Sequence, residues 1–228
     1  MRVLVIACHP DDETLGVGGT MIHHIQRGDE VRVCLLTDGV GSRHGQSDLQ
    51  KECAEKACAT LGVSDVVFCN LPDQGLDGFP LLDVIRPIEG QIDDFAPQLV
   101  YTHFKEDANQ DHGVAFRATI VACRPMEETP VERLLSYETA SSTEWAPPFA
   151  GSVFSPNVFV DISDTLDRKI DAMRAYSHTY TSEIRPYPHP RSYEAIEINA
   201  RSRGVAAGMK AAEAFMLVRE LNRAGAMQ

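Results

Sequence analysis

The sequence predicts an α/β chain of Rossmann-like type, with a mostly parallel sheet, helices on both faces, and extra C-terminal strands and helices. Three observations predict it. Short β-rich runs alternate with amphipathic stretches through the first half of the chain, the order that builds parallel strands joined by helical crossovers. The 228 residues are 43% hydrophobic, enough for one compact domain with a sizeable core, so 1–228 reads as a single domain. A dense polar cluster, His9-Pro10-Asp11-Asp12-Glu13, directly follows the first apolar run. An open parallel sheet binds its ligands there, beyond the carboxyl ends of the strands.

In chain order, strands are expected at about 2–8, 31–37, 65–69 and 98–103, with helices near 14–27, 46–61, 80–95 and 111–123. Gly28-Asp29, Thr37-Asp38-Gly39, Leu61-Gly62 and Pro72-Asp73-Gln74-Gly75 supply the turns between them. After Arg124-Pro125 the pattern changes. Two further strands are expected near 132–138 and 157–161, separated by a loop that holds Trp145-Ala146-Pro147-Pro148. A helix then runs from about Ser163, read as its N-cap, to Tyr176. Pro186, Pro188 and Pro190 exclude a helix interior from Arg185 to Ser192. That segment is an extended loop, and an Ala-rich helical tail is expected from it to the C-terminus.

Composition narrows the function. A formal net charge of -12 argues against a nucleic-acid footprint, which needs clustered Lys and Arg. No apolar run approaches the roughly 18 to 20 residues of a membrane span. The opening Met1-Arg2-Val3-Leu4-Val5-Ile6-Ala7 breaks off too soon for a signal peptide and reads as a buried strand. Cys8, Cys34, Cys53, Cys58, Cys69 and Cys123 form no CxxC pair and read as reduced core residues. A soluble cytoplasmic protein is expected.

His9 and Asp12 lie three apart on a strand-to-helix turn, which can aim an imidazole and a carboxylate at one ion, both normal zinc donors. A third donor must come from another strand end. The loop after Tyr101-Thr102-His103 offers Asp107, Asn109, Asp111 and His112, of which His112 is preferred. A facial His/Asp/His set leaves positions open for water and substrate, as in catalytic zinc sites, although other divalent ions are accepted by such a set. Zinc lowers the pKa of a bound water toward 7, so Asp11, beside a ligand and not needed as one, becomes the general base. Asp111 reads as the cap of a helix beginning at His112, and also as a hydrogen-bond partner of a ligand histidine. Arg43 follows a strand end and is a candidate contact for an anion or sugar, against the plainer reading of an exposed turn arginine. His23 and His24 read as ordinary helix positions.

These motifs resemble the PIG-L/LmbE-like family of zinc deacetylases. The likeness rests on Ala7-Cys8-His9-Pro10-Asp11-Asp12-Glu13-Thr14-Leu15-Gly16, Gly18-Gly19-Thr20 and Asp107-Ala108-Asn109-Gln110-Asp111-His112. Leu36-Thr37-Asp38-Gly39, Pro97–His103, Pro188–Ser192 and Ala212-Glu213-Ala214-Phe215 extend it over most of the chain. The resemblance implies that His9, Asp12 and His112 bind Zn2+ and that Asp11 is the base. It implies removal of the N-acetyl group from an N-acetylglucosamine-type sugar or its conjugate. A thiol-cofactor conjugate or an antibiotic precursor is the alternative substrate.

One departure stands out. Several family members carry a histidine three residues before the last ligand to stabilise the oxyanion, and this chain has Asn109, which donates a hydrogen bond without carrying charge. His189, on the Pro-rich loop, is the candidate to take that role, from its own subunit or from a neighbour in a homo-oligomer. Arg191 beside it is the candidate for a substrate phosphate or carboxylate. The readings from other classes are a nucleotide binder and a non-catalytic metal-binding protein. Against the first, no GxGxxG follows the first strand, and carboxylates there repel a pyrophosphate.

Overall fold

A computed structural model describes residues 1–39, 47–149, 151, 153–177 and 182–223. The first half alternates as expected: β1 (Arg2–Ala7), α1 (Asp12–Gln26), β2 (Glu30–Thr37), α2 (Ser47–Leu61), β3 (Asp65–Leu71), α3 (Leu81–Phe95), β4 (Leu99–His103) and α4 (Gln110–Ala122). Then come β5 (Arg133–Tyr137), β6 (Val158–Asp161), α5 (Leu166–Met173), α6 (Tyr193–Ala207) and β7 (Ala212–Glu220). The strands form one sheet in the order β3-β2-β1-β4-β5-β7-β6. Pairs from β3 to β5 are parallel, and β7 is antiparallel to both its neighbours. Among the described residues no helix is long and apolar enough to cross a membrane.

The near-continuous apolar run of β1 has a simple cause, since alternate side chains enter cores on opposite faces of the sheet. Val3, Val5 and Ala7 join Val33, Leu35 and Tyr101 beneath α1, α2 and α5. Leu4, Ile6 and Cys8 join Cys34, Leu36 and Val100 beneath α3 and α4. Both faces are covered, which makes the layers helix, sheet and helix. Close approach of α1 depends on Gly16, where an added Cβ would lie 2.2 Å from the ring of Tyr137.

The tail departs from the sequence expectation. Helix α6 stops at Gly208, in the left-handed conformation that ends helices (φ 72°). Ala212–Glu220 then enters the sheet between β5 and β6. Its first four residues are buried, and the small Ala212 and Ala214 suit a strand with neighbours on both edges. The α5 segment is shorter than expected. Thr165 and not Ser163 holds the position before its first turn, and a 3-10 turn at Arg174–Tyr176 completes it.

Candidate metal centre and active site

The sheet changes direction at β1. Its successors β2 and β3 lie to one side and β4 to the other, so the crevice beyond the ends of β1 and β4 is the switch point where such folds bind ligands. Two turns face each other there. After β1, the His9 amide donates to Asp12 Oδ2 at 2.9 Å, a local bond that folds the chain into α1. After β4, Asn109 caps α4, its Oδ1 accepting the Asp111 amide at 3.0 Å. The cap is therefore Asn109 and not Asp111, because α4 begins two residues earlier than the sequence suggested and leaves Asp111 in its first turn.

Across the crevice His9, Asp12 and His112 converge. His9 Nδ1 lies 3.1 Å from Asp12 Oδ2, His112 Nε2 lies 3.2 Å from the same oxygen, and the two nitrogens are 3.3 Å apart. Donors roughly 2.0–2.1 Å from a tetrahedral zinc lie about 3.3 Å from one another, so this triangle has the edge that such an ion requires. Asp12 Oδ1 is buried without a hydrogen-bond partner, a state that a carboxylate seldom tolerates unless a cation satisfies it. The donor set therefore fits a divalent ion.

Carboxylates stand behind both histidines, hydrogen-bonded to His9 and at ion-pair distance from His112, whose Nδ1 makes no hydrogen bond among the described residues. Asp111 Oδ2 and Asp73 Oδ1 each lie 3.2 Å from His9 Nε2, and Asp111 Oδ1 accepts the Leu76 amide at 3.0 Å. Asp107 Oδ1 lies 3.3 Å from His112 Nδ1. Asp107 is itself held by the hydroxyls of Ser142 and Thr143 and by the Asn109 amide. Such outer partners fix the ring orientation of metal-binding histidines. Beneath them His103 stacks on His112 with centroids 3.9 Å apart. Its Nε2 accepts the Cys8 amide at 2.9 Å, and burial holds its pKa well below the usual histidine value. His103 is thus neutral, and the nitrogen nearest the triangle is already occupied. For that reason the neighbouring group Cys8, His103 and His112 is a poorer metal site.

Asp11 is 1% exposed. Burial pushes its carboxyl well above the usual range, opposed chiefly by Arg191. Arg191 Nη1 reaches Asp11 Oδ2 at 2.7 Å and Glu183 Oε2 at 2.6 Å, and its Nε donates to Ser141 Oγ at 2.7 Å. The guanidinium expected to meet a substrate anion is therefore turned onto the expected base. The same contacts bring the Pro-rich loop to the site of its own chain. His189 on that loop accepts the Arg191 amide through Nδ1 at 3.1 Å, which leaves the proton of its neutral ring on Nε2. The His189 ring meets Trp145 at 5.7 Å and 88°. Arg43 lies outside the described residues.

Sequence reasoning singled out no role for Asp73, His103 or Glu183. Asp73 is legible only as a turn residue, and Glu183 meets the site through Arg191. Asp107, one of the alternative donors, lies behind His112 instead of in the triangle. A signal did exist for His103, since it closes a strand beside the first motif.

A family model described as GlcNAc-PI de-N-acetylase, PIG-L, matches residues 4–123, a span that holds both turns of the crevice. The chain is 29% identical over 167 residues to the uncharacterized deacetylase YaiS of Escherichia coli, covering 71% of this chain and 82% of that protein. It is 26% identical over 227 residues to the 1D-myo-inositol 2-acetamido-2-deoxy-alpha-D-glucopyranoside deacetylase of a Mycobacterium species, covering 77% and 73%. The crystal structure of the conserved protein TT1542 from Thermus thermophilus superposes with a TM-score of 0.78 at 25% identity, covering 99% of this chain and 98% of that one. With more than half its length matched by the family model, and the facing His9 and His112 turns both inside the match, the chain belongs to the PIG-L family.

Proposed function

We propose that this protein is a zinc-dependent N-deacetylase that hydrolyses the acetamide of an N-acetylglucosamine-type sugar or its conjugate. The observation that carries the reading is the His9–Asp12–His112 triangle, with the buried Asp11 next to Asp12 in the chain and paired with Arg191. Relatives named as deacetylases, one of them acting on an acetamido-glucopyranoside, support the reaction and the substrate class. The region 1–228 acts as one deacetylase domain, a reading supported by its single sheet. A cytoplasmic location is read from the sequence, whose six cysteines form no CxxC pair.

When bound by His9, Asp12 and His112, a divalent ion supplies Lewis acidity toward the carbonyl and lowers the pKa of water. The chain's own groups do the rest. Asp111 and Asp107 keep the two histidines turned toward the triangle. Asp11 takes the proton of the water that attacks the acetamide carbon and returns it to the departing amine. Arg191 holds the Asp11 carboxylate in place and favours its charged form. His189, with a proton on Nε2, and the side-chain amide of Asn109 are the donors for the oxyanion.

Acetate release from a panel of N-acetylated sugars and conjugates, with metal content measured on the same sample, tests the function. Activity is expected on N-acetylglucosamine-type compounds. Asp11→Asn should keep the metal and lose at least about 10²-fold in kcat, the lower end of what a general base contributes. Near-normal turnover by that variant with its metal in place would remove Asp11 from the role.

A further inference from the structure

Asp11 departs from the backbone of its neighbours. Its φ of 121° and ψ of -29° lie in a region that residues with a side chain rarely adopt, and that persists only where the surroundings enforce it. The sequence alone gives no reason for this, since a non-glycine residue would enter the helix without it. Chemistry gives one. Successive residues of a regular helix point about 100° apart, so two adjacent carboxylates cannot both face one centre from helical backbone. The turn at Asp11 lets Asp12 close the triangle with His9 and His112 while Asp11 reaches Arg191.

Glu13 is hydrogen-bonded to the turn. In the first turn of α1 a glutamate would ordinarily face solvent, yet this one is fully buried. Its Oε2 accepts the Asp11 amide at 3.0 Å. Its Oε1 accepts the hydroxyl of Tyr176 at 2.6 Å and also that of Thr14. Tyr176, 1% exposed, belongs to the 3-10 turn after α5. The carboxylate thus ties the strained peptide of Asp11 to a second element of the fold. Among the described residues it makes no hydrogen bond or ion pair to the three donors of the triangle.

We infer that Glu13 is the positioning residue of the general base: through the Asp11 amide, and anchored by Tyr176, it fixes the direction of the Asp11 carboxylate. This rests on Asp11 being the base. A misplacement of about 1 Å can cost on the order of 10²-fold in rate, so the effect belongs in kcat, with substrate binding and metal content spared.

The test is a double-mutant cycle on the metal-loaded full chain, with kcat, KM, metal content and thermal midpoint measured for each variant. Glu13→Gln keeps the shape of the side chain and loses the carboxylate that accepts from both Asp11 and Tyr176. Expected is a fall in kcat of about 10- to 100-fold, with KM within about twofold and one metal per chain. Tyr176→Phe should show the same pattern at about 3- to 10-fold. In the Asp11→Asn background, where no base remains to be aimed, neither substitution should change the residual rate by more than about twofold.

Glu13→Gln with normal kcat, while Asp11→Asn is impaired, would overturn the inference and leave the deacetylase reading standing. An equal loss in both backgrounds, or metal lost in step with activity, would also overturn it. If Asp11→Asn itself is active, the assignment of the base fails and the inference fails with it. Should Glu13→Gln not fold, Tyr176→Phe in the two backgrounds decides by the same criteria.

Discussion

His9 presents different partners to its two nitrogens. Nδ1 faces Asp12 and His112, and Nε2 faces Asp73 and Asp111. Burial by itself would lower the pKa of the ring, but hydrogen bonds to Asp111 and Asp12 outweigh it and raise the pKa from 6.5 to about 10. Without metal the ring is therefore protonated at neutral pH, and a metal ligand must be neutral. Metal uptake at pH 7 should release at least one proton, and affinity should rise about tenfold per pH unit between 6.5 and 10. Calorimetry in buffers of different ionisation enthalpy measures that release, and a buffer-independent enthalpy would rule it out. The stability of the metal-free protein carries the opposite sign. A pKa raised above its unfolded value contributes stability that is complete below pH 6.5 and is lost as pH rises through 10. At the same site, His112→Ala should remove metal and activity together, and full metal occupancy in that variant would exclude His112 as a ligand.

At the scale of elements, the sequence was most legible where hydrophobic period and turn chemistry agree. The strands β1 to β4 and the helices between them lie within a few residues of expectation, because each is bounded by Gly, Pro or Asp turns. The alanines of the tail favour a helix, and pairing with β5 and β6 makes Ala212–Glu220 a strand instead. Tertiary context overrides propensity in such segments. The His9 and His112 motifs were visible in the same way, each being short and continuous. The contacts made by Arg191 were hidden, since Asp11 lies 180 residues away in the chain. The Pro-rich loop carries the next prediction through His189. With Nδ1 committed to the Arg191 amide, His189 can donate only through Nε2. His189→Ala should lower kcat by roughly 10²-fold, as removal of an oxyanion donor does, with metal retained. A loss below about threefold would assign the loop to structure and pass the donor role to Asn109.

The whole molecule depends on how its late elements hold the first helix, since α1 carries both Asp12 and the turn of Asp11. Strand β7 supplies Glu213 and α5 supplies Lys169, and the two meet at 2.6 Å with 4% and 5% of their side chains exposed. Glu213 also accepts the amides of Gly19 and Thr20, at 2.9 and 2.7 Å, and Lys169 donates to the Leu15 carbonyl at 2.7 Å. The pair thus grips the middle of α1 from the C-terminal half of the chain. It joins the antiparallel end of the sheet to the helix that leads away from the metal triangle. Removing one member of such a buried pair leaves the other charge without compensation, an effect of about 3–5 kcal/mol. Glu213→Ala should destabilise the fold by that amount, read from denaturant midpoints at constant m-value. Glu213→Leu combined with Lys169→Met should be more stable than Glu213→Ala, because no lone charge remains buried. Metal affinity should weaken in Glu213→Ala and recover at least in part in the double variant, since the position of α1 follows the same contacts. If the single variant loses less than about 1 kcal/mol, the size of a surface pair, water has reached Lys169 and α1 is held by its apolar packing instead.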